Sequence, residues 1–173
     1  AFILTLADTG LRISEACSLT RGQYDPNEHH AVVIIKRGRE SIVRFSRRAH
    51  YAIINYIESR AHFDGISGRA LSSLPIFARH DLGSGNKSIP IKTVGARNII
   101  HKWVRYALGA DLVGSITPHS FRHYFVTIVL RGSGGNLKLA QELARHKSIA
   151  ITQRYAHLTD DDLDRNYHKI FDS

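Results

Sequence analysis

Residues 31–45, AVVIIKRGRESIVRF, decide the class of fold. Two runs rich in β-branched residues, 31–35 and 41–45, flank a short turn around Gly38. β-Branched side chains favour extended backbone, and a glycine between two such runs is typical of a β-hairpin. A shorter third strand is expected near Tyr24. The stretch therefore predicts a small antiparallel sheet.

The sequence on both sides of the hairpin has helical periodicity. Helices are predicted in AFILTLADTG, which Gly10 closes, in LRISEACSLT, and in RRAHYAIINYIESRA directly after the hairpin. Residues 62–90 are rich in glycine and predict a loop, with LPIFA at 74–78 as its buried anchor. KTVGARNIIHKWVRYAL is the next predicted helix. Its expected inner side consists of Val94, Ile99, Trp103 and Leu108 or Ala107.

The last third of the chain predicts four more helices. ITPHSFRHYFVTIVLRG begins with Thr117 as N-cap and Pro118 at the first helical position. NLKLAQELARH and SIAITQRYAHL are predicted as short helices, and residues 159–171 are predicted to form a last one with Tyr167 on its apolar stripe. The predicted fold is mainly α with a small antiparallel β-sheet (α+β), in one domain over 1–173. The stripe predicted for the first of these helices is Phe121, Phe125, Ile128 and Val129.

Charge is the unusual feature of the composition. The chain has 24 Lys and Arg against 15 Asp and Glu, a net charge of +9. Such a balance favours a polyanionic partner, nucleic acid above all, although a protein can also be basic without one. The single cysteine, Cys17, excludes an internal disulfide and a cysteine-rich zinc site.

The chain contains no apolar run long enough to span a membrane and does not open on a signal-peptide pattern. We therefore expect a cytoplasmic location. The chain has no Met and begins inside a run predicted as helix, so we expect it to be cut from a longer protein on its N-terminal side.

Several cationic and aromatic side chains lie at the ends of predicted elements. The histidine and arginine of HSFR lie three apart at a helix start, where free N–H groups and the helix dipole favour an anion. Taken singly, each position has an ordinary explanation, such as a solvated arginine, an edge lysine, a capping histidine or a core tyrosine. The positions are Arg12, Lys36, His119, Arg122, His146 and Tyr155.

Together, the segments that hold these positions resemble a known family. TGLRISE (9–15), PHSFRH (118–123) and ELARHKSIAITQRYAH (142–157) resemble the signature boxes of the tyrosine recombinases, the phage integrase family. The resemblance covers about residues 3–171, and the motifs are similar to those of Xer-type and mobile-element integrases. It implies the DNA breaking-rejoining catalytic fold and site-specific cutting and rejoining of DNA through a 3′-phosphotyrosyl intermediate.

The resemblance implies that two arginines bind the phosphate. Arg12 and Arg122 would hold its two non-bridging oxygens by forked, charge-assisted bonds, with Glu15 supporting the site. Two fixed cations would make a metal unnecessary for charge neutralisation. A phosphotyrosine would keep the energy of the bond it replaces, so no cofactor is expected.

The resemblance assigns the remaining roles to four side chains. Tyr155 would be the nucleophile, with His119 as its base, since a phenol is a weak nucleophile at neutral pH. Lys36 would be the general acid for the departing alkoxide, and His146 would bond the phosphate or position Tyr155. The family often has glycine where Arg145 stands, and a Val-Pro-Leu-like run where this chain has VRFS.

The expected partners are double-stranded DNA and further protomers of the same chain, in a tetramer on two DNA sites. The last helix, about 159–171, would dock on a neighbouring protomer or pack on its own domain. The family's N-terminal DNA-binding domain is expected outside residues 1–173.

Three alternatives remain. Relaxation of DNA by a type IB topoisomerase uses the same cleavage chemistry. A helix-turn-helix without catalysis would explain residues 136–156 and the charge. His119 and His123 have a spacing that can bind zinc on a helix, although Arg122 between them repels a cation.

Overall fold

The computed structural model describes residues 1–35, 38–79 and 88–156. Over these ranges the chain is mostly helical with one three-stranded sheet, which confirms the predicted fold class. None of the helices in these ranges has the length and apolarity needed to cross a membrane. The elements are α1 (Phe2–Thr9), α2 (Ile13–Ser18), a 3-10 turn (Arg21–Gln23), β1 (Tyr24–Asp25), β2 (His30–Ile35), β3 (Arg39–Arg44), α3 (Arg47–Ser59), α4 (Ala61–Gly65), a 3-10 turn (Leu71–Ser73), α5 (Thr93–Leu108), a 3-10 turn (Ala110–Leu112), α6 (Pro118–Gly132), α7 (Leu137–Ala144) and α8 (Ile149–Gln153).

The chain divides into two compact units, residues 1–125 and 126–173, with the boundary inside α6. The first unit contains the sheet and helices α1 to α5. The second contains α7 and α8. That residues 1–173 act as one catalytic domain stays a prediction.

The sheet has the order β1-β2-β3, and both pairs are antiparallel. The Gly38 N–H donates to the Ile35 carbonyl at 3.1 Å, which confirms the turn around Gly38. The short strand near Tyr24 is also confirmed. Side chains alternate between the core and solvent, as a sheet covered on one face requires. The buried positions of β2 and β3 are Ala31, Val33 and Val43.

The core of the first unit joins the inner face of the sheet to apolar side chains from α1, α2, α3 and α5. The predicted anchor LPIFA is buried, and its Phe77 makes an edge-to-face contact with Phe2 at 5.0 Å between ring centroids. Cys17 is buried, and burial raises the pKa of its thiol to about 11. At neutral pH the thiol is therefore protonated, and it behaves as a small apolar side chain.

A buried arginine fixes the loop that carries LPIFA. Arg60 is only 2% exposed, and its guanidinium donates to the carbonyls of Pro75 and, at 2.8 Å, Ile76. The same side chain pairs with Asp64 at 3.2 Å and lies over the Tyr56 ring. These bonds satisfy loop carbonyls that apolar burial alone would leave unpaired.

The predicted inner face of α5 is wrong. Val94, Trp103 and Leu108 are exposed, and Ile99 is only partly buried. The prediction chose among apolar side chains that occur all round this helix, whereas the helix packs through positions with a spacing of four residues. The buried positions are Ala96, Ile100 and Val104.

The predicted stripe of α6 is also shifted. Ile128 is exposed, whereas Phe121, Phe125 and Val129 are partly buried. The buried positions are Arg122, Val126 and Leu130. A stripe drawn from hydrophobicity omits an arginine by definition, and Arg122 is one of the three buried positions.

The segment VRFS leads from the sheet directly into α3. Phe45 is buried, and the Ser46 hydroxyl caps α3 by accepting from Ala49 N–H at 3.2 Å. The same hydroxyl donates to the Asp8 carboxylate, which also accepts from Arg48 Nε at 2.6 Å. The departure from a Val-Pro-Leu-like run therefore leaves a capped helix whose start is tied to the end of α1.

Candidate active site

The turn between α1 and α2 is held by the residues Thr9 and Gly10. Gly10 has φ +59°, the left-handed conformation that favours glycine, and its N–H donates to the Leu6 carbonyl at 3.2 Å. The Thr9 hydroxyl donates to the Thr5 carbonyl at 2.6 Å and accepts from Leu11 N–H at 3.1 Å. The turn therefore has a defined shape, and Arg12 leaves it at a defined point.

Arg122 is fixed against the same turn. It is 7% exposed, and its Nη1 donates to the carbonyl of Gly10. A Cβ built on Gly10 would lie 2.9 Å from Phe125 Cγ, which shows that the Phe125 ring packs directly over the Gly10 α-carbon. A side chain at position 10 would push against the helix that carries Arg122. Two of the predicted arginines thus depend on one glycine, since Arg12 follows Gly10 by two residues.

Glu15 holds Arg12 from within α2. Its carboxylate accepts from the Arg12 backbone N–H at 2.8 Å and from the Arg12 Nη1 at 2.7 Å. The carboxylate lies in the first turn of α2, where the helix dipole favours a negative charge. The Arg12 side chain is 45% exposed and that of Glu15 is 8% exposed. Glu15 is therefore the buried support, and Arg12 keeps a surface that a ligand can reach.

His119 lies in the first turn of α6. The Ser120 hydroxyl accepts from Thr117 N–H at 3.0 Å, and the Ser120 N–H donates to the Thr117 carbonyl at 2.9 Å. The helix start predicted at Thr117 and Pro118 is thus confirmed. His119 is exposed and precedes Arg122 by one helical turn. His123 is also exposed, and within the described part of the chain no group of three His, Cys, Asp or Glu side chains could hold a metal.

In the second unit, the structure brings His146 next to Tyr155. Their rings are stacked at 17° with centroids 6.3 Å apart. His146 is 9% exposed, and its Nδ1 lies 2.8 Å from the hydroxyl of Thr152. Tyr155 is partly buried, and its N–H donates to the Thr152 carbonyl at 3.0 Å. The two predicted residues, nine apart in sequence, are neighbours through Thr152.

Sequence reasoning missed Thr152. Its only signal was spacing, because position 152 precedes Tyr155 by three residues and therefore shares its side of a helical turn. A buried threonine at that spacing also fits ordinary packing, so the pattern did not single it out.

Arg145 occupies the position where the family often has glycine. It ends α7 with φ 56° and ψ 41°, the left-handed conformation. Glycine adopts this conformation without the clash that a Cβ causes, which explains the family's preference. The His146 N–H still reaches the Gln141 carbonyl at 3.0 Å. The departure therefore costs backbone strain but leaves the helix end in place.

Within the first unit, the structure groups Arg12, Glu15 and Arg122 around one turn, with His119 on the same helix as Arg122. Within the second unit it groups His146 with Tyr155. Lys36 lies outside the described residues, as does the predicted last helix, 159–171, with Tyr167.

Comparison with known proteins gives the family. The sequence model of the phage integrase family matches residues 1–162. The chain is 31% identical over 171 residues to tyrosine recombinase XerC of Pediococcus pentosaceus, which covers 99% of this chain and 53% of that protein. It is also 31% identical to tyrosine recombinase XerC of Treponema denticola, over 96% of this chain and 54% of that protein. The chain thus spans about half the length of the curated relatives it matches.

Solved structures agree on the fold. The crystal structure of XerA recombinase has a TM-score of 0.71 and 27% identity, covering 96% of this chain and 56% of that one. The Tn1549 transposon integrase in complex with a circular intermediate DNA has a TM-score of 0.65 and 22% identity, covering 98% of this chain and 57% of that one; at this identity the likeness supports the fold alone. With its arginine turn, its His–Tyr pair and these matches, the chain belongs to the phage integrase family of tyrosine recombinases.

Proposed function

We propose that the chain is the catalytic part of a site-specific DNA recombinase or integrase that cuts and rejoins strands through a 3′-phosphotyrosyl intermediate. The observation that carries the proposal is the arginine pair at one turn. Arg122 is fixed to the Gly10 carbonyl, and Arg12 is fixed two residues later by Glu15. A guanidinium carries its N–H donors in a planar fork that matches two oxygens of a phosphate.

Positioning and charge stabilisation are the main requirements of phosphoryl transfer. In the proposed step, the Tyr155 oxygen forms a bond to phosphorus and the bond from phosphorus to the 5′ oxygen breaks. His119 takes the phenol proton, and Lys36 gives a proton to the leaving alkoxide. Arg12 and Arg122 stabilise the charge that develops on the non-bridging oxygens.

His146 has the remaining role in the proposal. Its ring is stacked on Tyr155 and its Nδ1 is hydrogen-bonded to Thr152, so the proposal places Nε2 toward a phosphate oxygen. The attack and its reversal by a hydroxyl from another strand conserve the number of phosphoester bonds. The reaction as proposed therefore uses neither a metal nor a nucleotide cofactor.

The proposed partners are double-stranded DNA and three further copies of the protein. A net charge of +9 supports a polyanionic partner. Relatives named tyrosine recombinase favour strand exchange over relaxation of the type IB topoisomerase kind. The helix-turn-helix alternative would use α7 and α8 for DNA contact, but it gives no reason for the arginine turn.

Covalent trapping tests the nucleophile. The chain is incubated with nicked suicide duplexes of random sequence, and adducts are separated in denaturing gels. We expect Tyr155→Phe to abolish the adduct while DNA affinity in a filter-binding assay stays unchanged. Tyr106→Phe, which removes an exposed hydroxyl from α5, is the matched control and should form adduct at the rate of the unmodified chain. An adduct that survives in Tyr155→Phe, or its absence in the unmodified chain, contradicts the proposal.

Conservative substitution tests the arginine pair. Lysine keeps the charge but loses the fork, so Arg12→Lys and Arg122→Lys should each slow adduct formation by about 100-fold or more. Arg105→Lys, at an exposed position of α5, is the control and should leave the rate unchanged. Circular dichroism checks that each variant is folded. Adduct formation at the unmodified rate in either test variant would remove that arginine from the proposal.

A further inference from the structure

Thr152 is a buried polar residue that the reaction as proposed does not use. Its relative exposure is 0%, and its hydroxyl lies 2.8 Å from His146 Nδ1. His146 Nδ1 is the hydroxyl's hydrogen-bond partner within the described part of the chain. The contact links α8 to the histidine that follows α7.

The burial of Thr152 decides the direction of this hydrogen bond. A hydroxyl has one proton to donate, and a buried donor without an acceptor costs about 1–3 kcal/mol. If Nδ1 carried the proton and donated it, the Thr152 hydroxyl proton would have no acceptor among the residues that the structure describes. If Thr152 donates instead, both groups are satisfied. The stable arrangement is therefore a Thr152 O–H donor and an unprotonated Nδ1.

A neutral imidazole carries its proton on one nitrogen only, so a hydrogen bond accepted at Nδ1 places the proton on Nε2. Thr152 also acts on Tyr155, because its backbone carbonyl accepts the Tyr155 N–H at 3.0 Å. Thr152 thus determines which nitrogen of His146 can donate, and its carbonyl fixes the position of the Tyr155 backbone N–H.

We propose that Thr152 is a positioning residue that holds His146 as the Nε2–H tautomer, so that Nε2–H donates to the DNA phosphodiester beside Tyr155. The part that concerns the phosphodiester rests on the proposed function. The part that concerns the tautomer does not, because it follows from Thr152 and His146 alone.

Nitrogen-15 NMR of the histidine rings tests the tautomer without any DNA. Long-range proton–nitrogen correlations distinguish a protonated from an unprotonated ring nitrogen, and the His146 signals are assigned by their loss in His146→Gln. At a pH where the ring is neutral, we expect Nε2 protonated and Nδ1 accepting. Thr152→Val should move the Nδ1 resonance toward that of an unbonded imidazole nitrogen, and Thr152→Ser should restore it. Protonated Nδ1 in the unmodified chain, or a spectrum unchanged by Thr152→Val, overturns the proposal.

Covalent trapping tests the consequence for chemistry. Removing the group that orients a functional histidine typically lowers activity by about 10–100-fold, so Thr152→Val should slow adduct formation by that factor without changing DNA affinity. Thr152→Ser should recover most of the rate. Thr5→Val is the matched control, since it also removes a fully buried threonine hydroxyl but lies in α1, and it should keep the full rate.

The two assays separate the possible failures. If the unmodified chain forms no adduct, the proposed function is wrong, and the NMR spectra still decide the tautomer. If it forms adduct and Thr152→Val does so equally fast, the positioning role is wrong and the proposed function stands.

Discussion

Gly10→Ala is the substitution that most directly tests the structure of the arginine turn. Position 10 has φ +59°, and the Phe125 ring covers its α-carbon. An alanine there introduces two separate penalties, one from the backbone conformation and one from contact with the ring. Both act on the carbonyl to which Arg122 donates.

The magnitude follows from these two penalties. The left-handed conformation costs a residue with a Cβ about 1–2 kcal/mol relative to glycine. The new Cβ would lie 2.9 Å from Phe125 Cγ, inside the distance that real Cβ atoms keep. Insertion of a methyl group into a packed site typically costs about 1–3 kcal/mol. We therefore expect Gly10→Ala to lower the free energy of unfolding by about 2–5 kcal/mol.

Urea denaturation monitored by circular dichroism measures this loss. Gly68→Ala is the control, because Gly68 has φ +67° but a Cβ there would meet open space. Gly68→Ala should show only the backbone penalty, about 1–2 kcal/mol. In a chain that already carries Phe125→Ala, adding Gly10→Ala should lower the free energy of unfolding by no more than Gly68→Ala does. An equal loss for Gly10→Ala and Gly68→Ala would refute the packing of Phe125 on the turn.

Two further predictions concern stability. Arg145→Gly should be more stable to urea than Arg145→Ala by about 1 kcal/mol, because both remove the guanidinium but only glycine relieves the left-handed strain at φ 56°; equal stabilities would contradict that strain. For Asp8, burial raises the pKa, but the bonds from Arg48 and Ser46 outweigh it and lower the pKa below its ordinary value near 3.8. This stabilisation is complete above about pH 4 and is lost as pH falls further, so Asp8→Asn should flatten the acid dependence of unfolding; an unchanged acid dependence would contradict it.

Local patterns predicted most of the elements. The hairpin, the helix ends at Gly10 and Thr117, and the buried LPIFA segment depend on neighbours in sequence, so a single chain reveals them. The arginine and histidine boxes were found from their resemblance to a family. The resemblance also gave Glu15 as a support of the site, and the structure places its carboxylate on Arg12.

The buried faces of the helices, and contacts between separate elements, were harder to predict from sequence. On α5, apolar side chains occur all round the helix, so periodicity did not decide between the face with Trp103 and the face with Ile100. On α6, the buried Arg122 interrupts the apolar stripe that hydrophobicity predicts. Thr152 was missed because its partner His146 precedes α8, and no short-range rule pairs the two.

Arg12 and Arg60 show why local pattern alone does not separate an arginine proposed to bind a phosphate from a structural one. Each has an acidic partner within one helical turn, Glu15 for Arg12 and Asp64 for Arg60, and such pairs look alike in sequence. Arg60 is 2% exposed and donates to loop carbonyls, including that of Ile76 at 2.8 Å, so its hydrogen bonds hold the fold. The Arg12 side chain is 45% exposed, and its partner is the buried member of the pair. An anion from solvent can therefore reach the guanidinium of Arg12 but not that of Arg60, so burial separates these two arginines where sequence spacing does not.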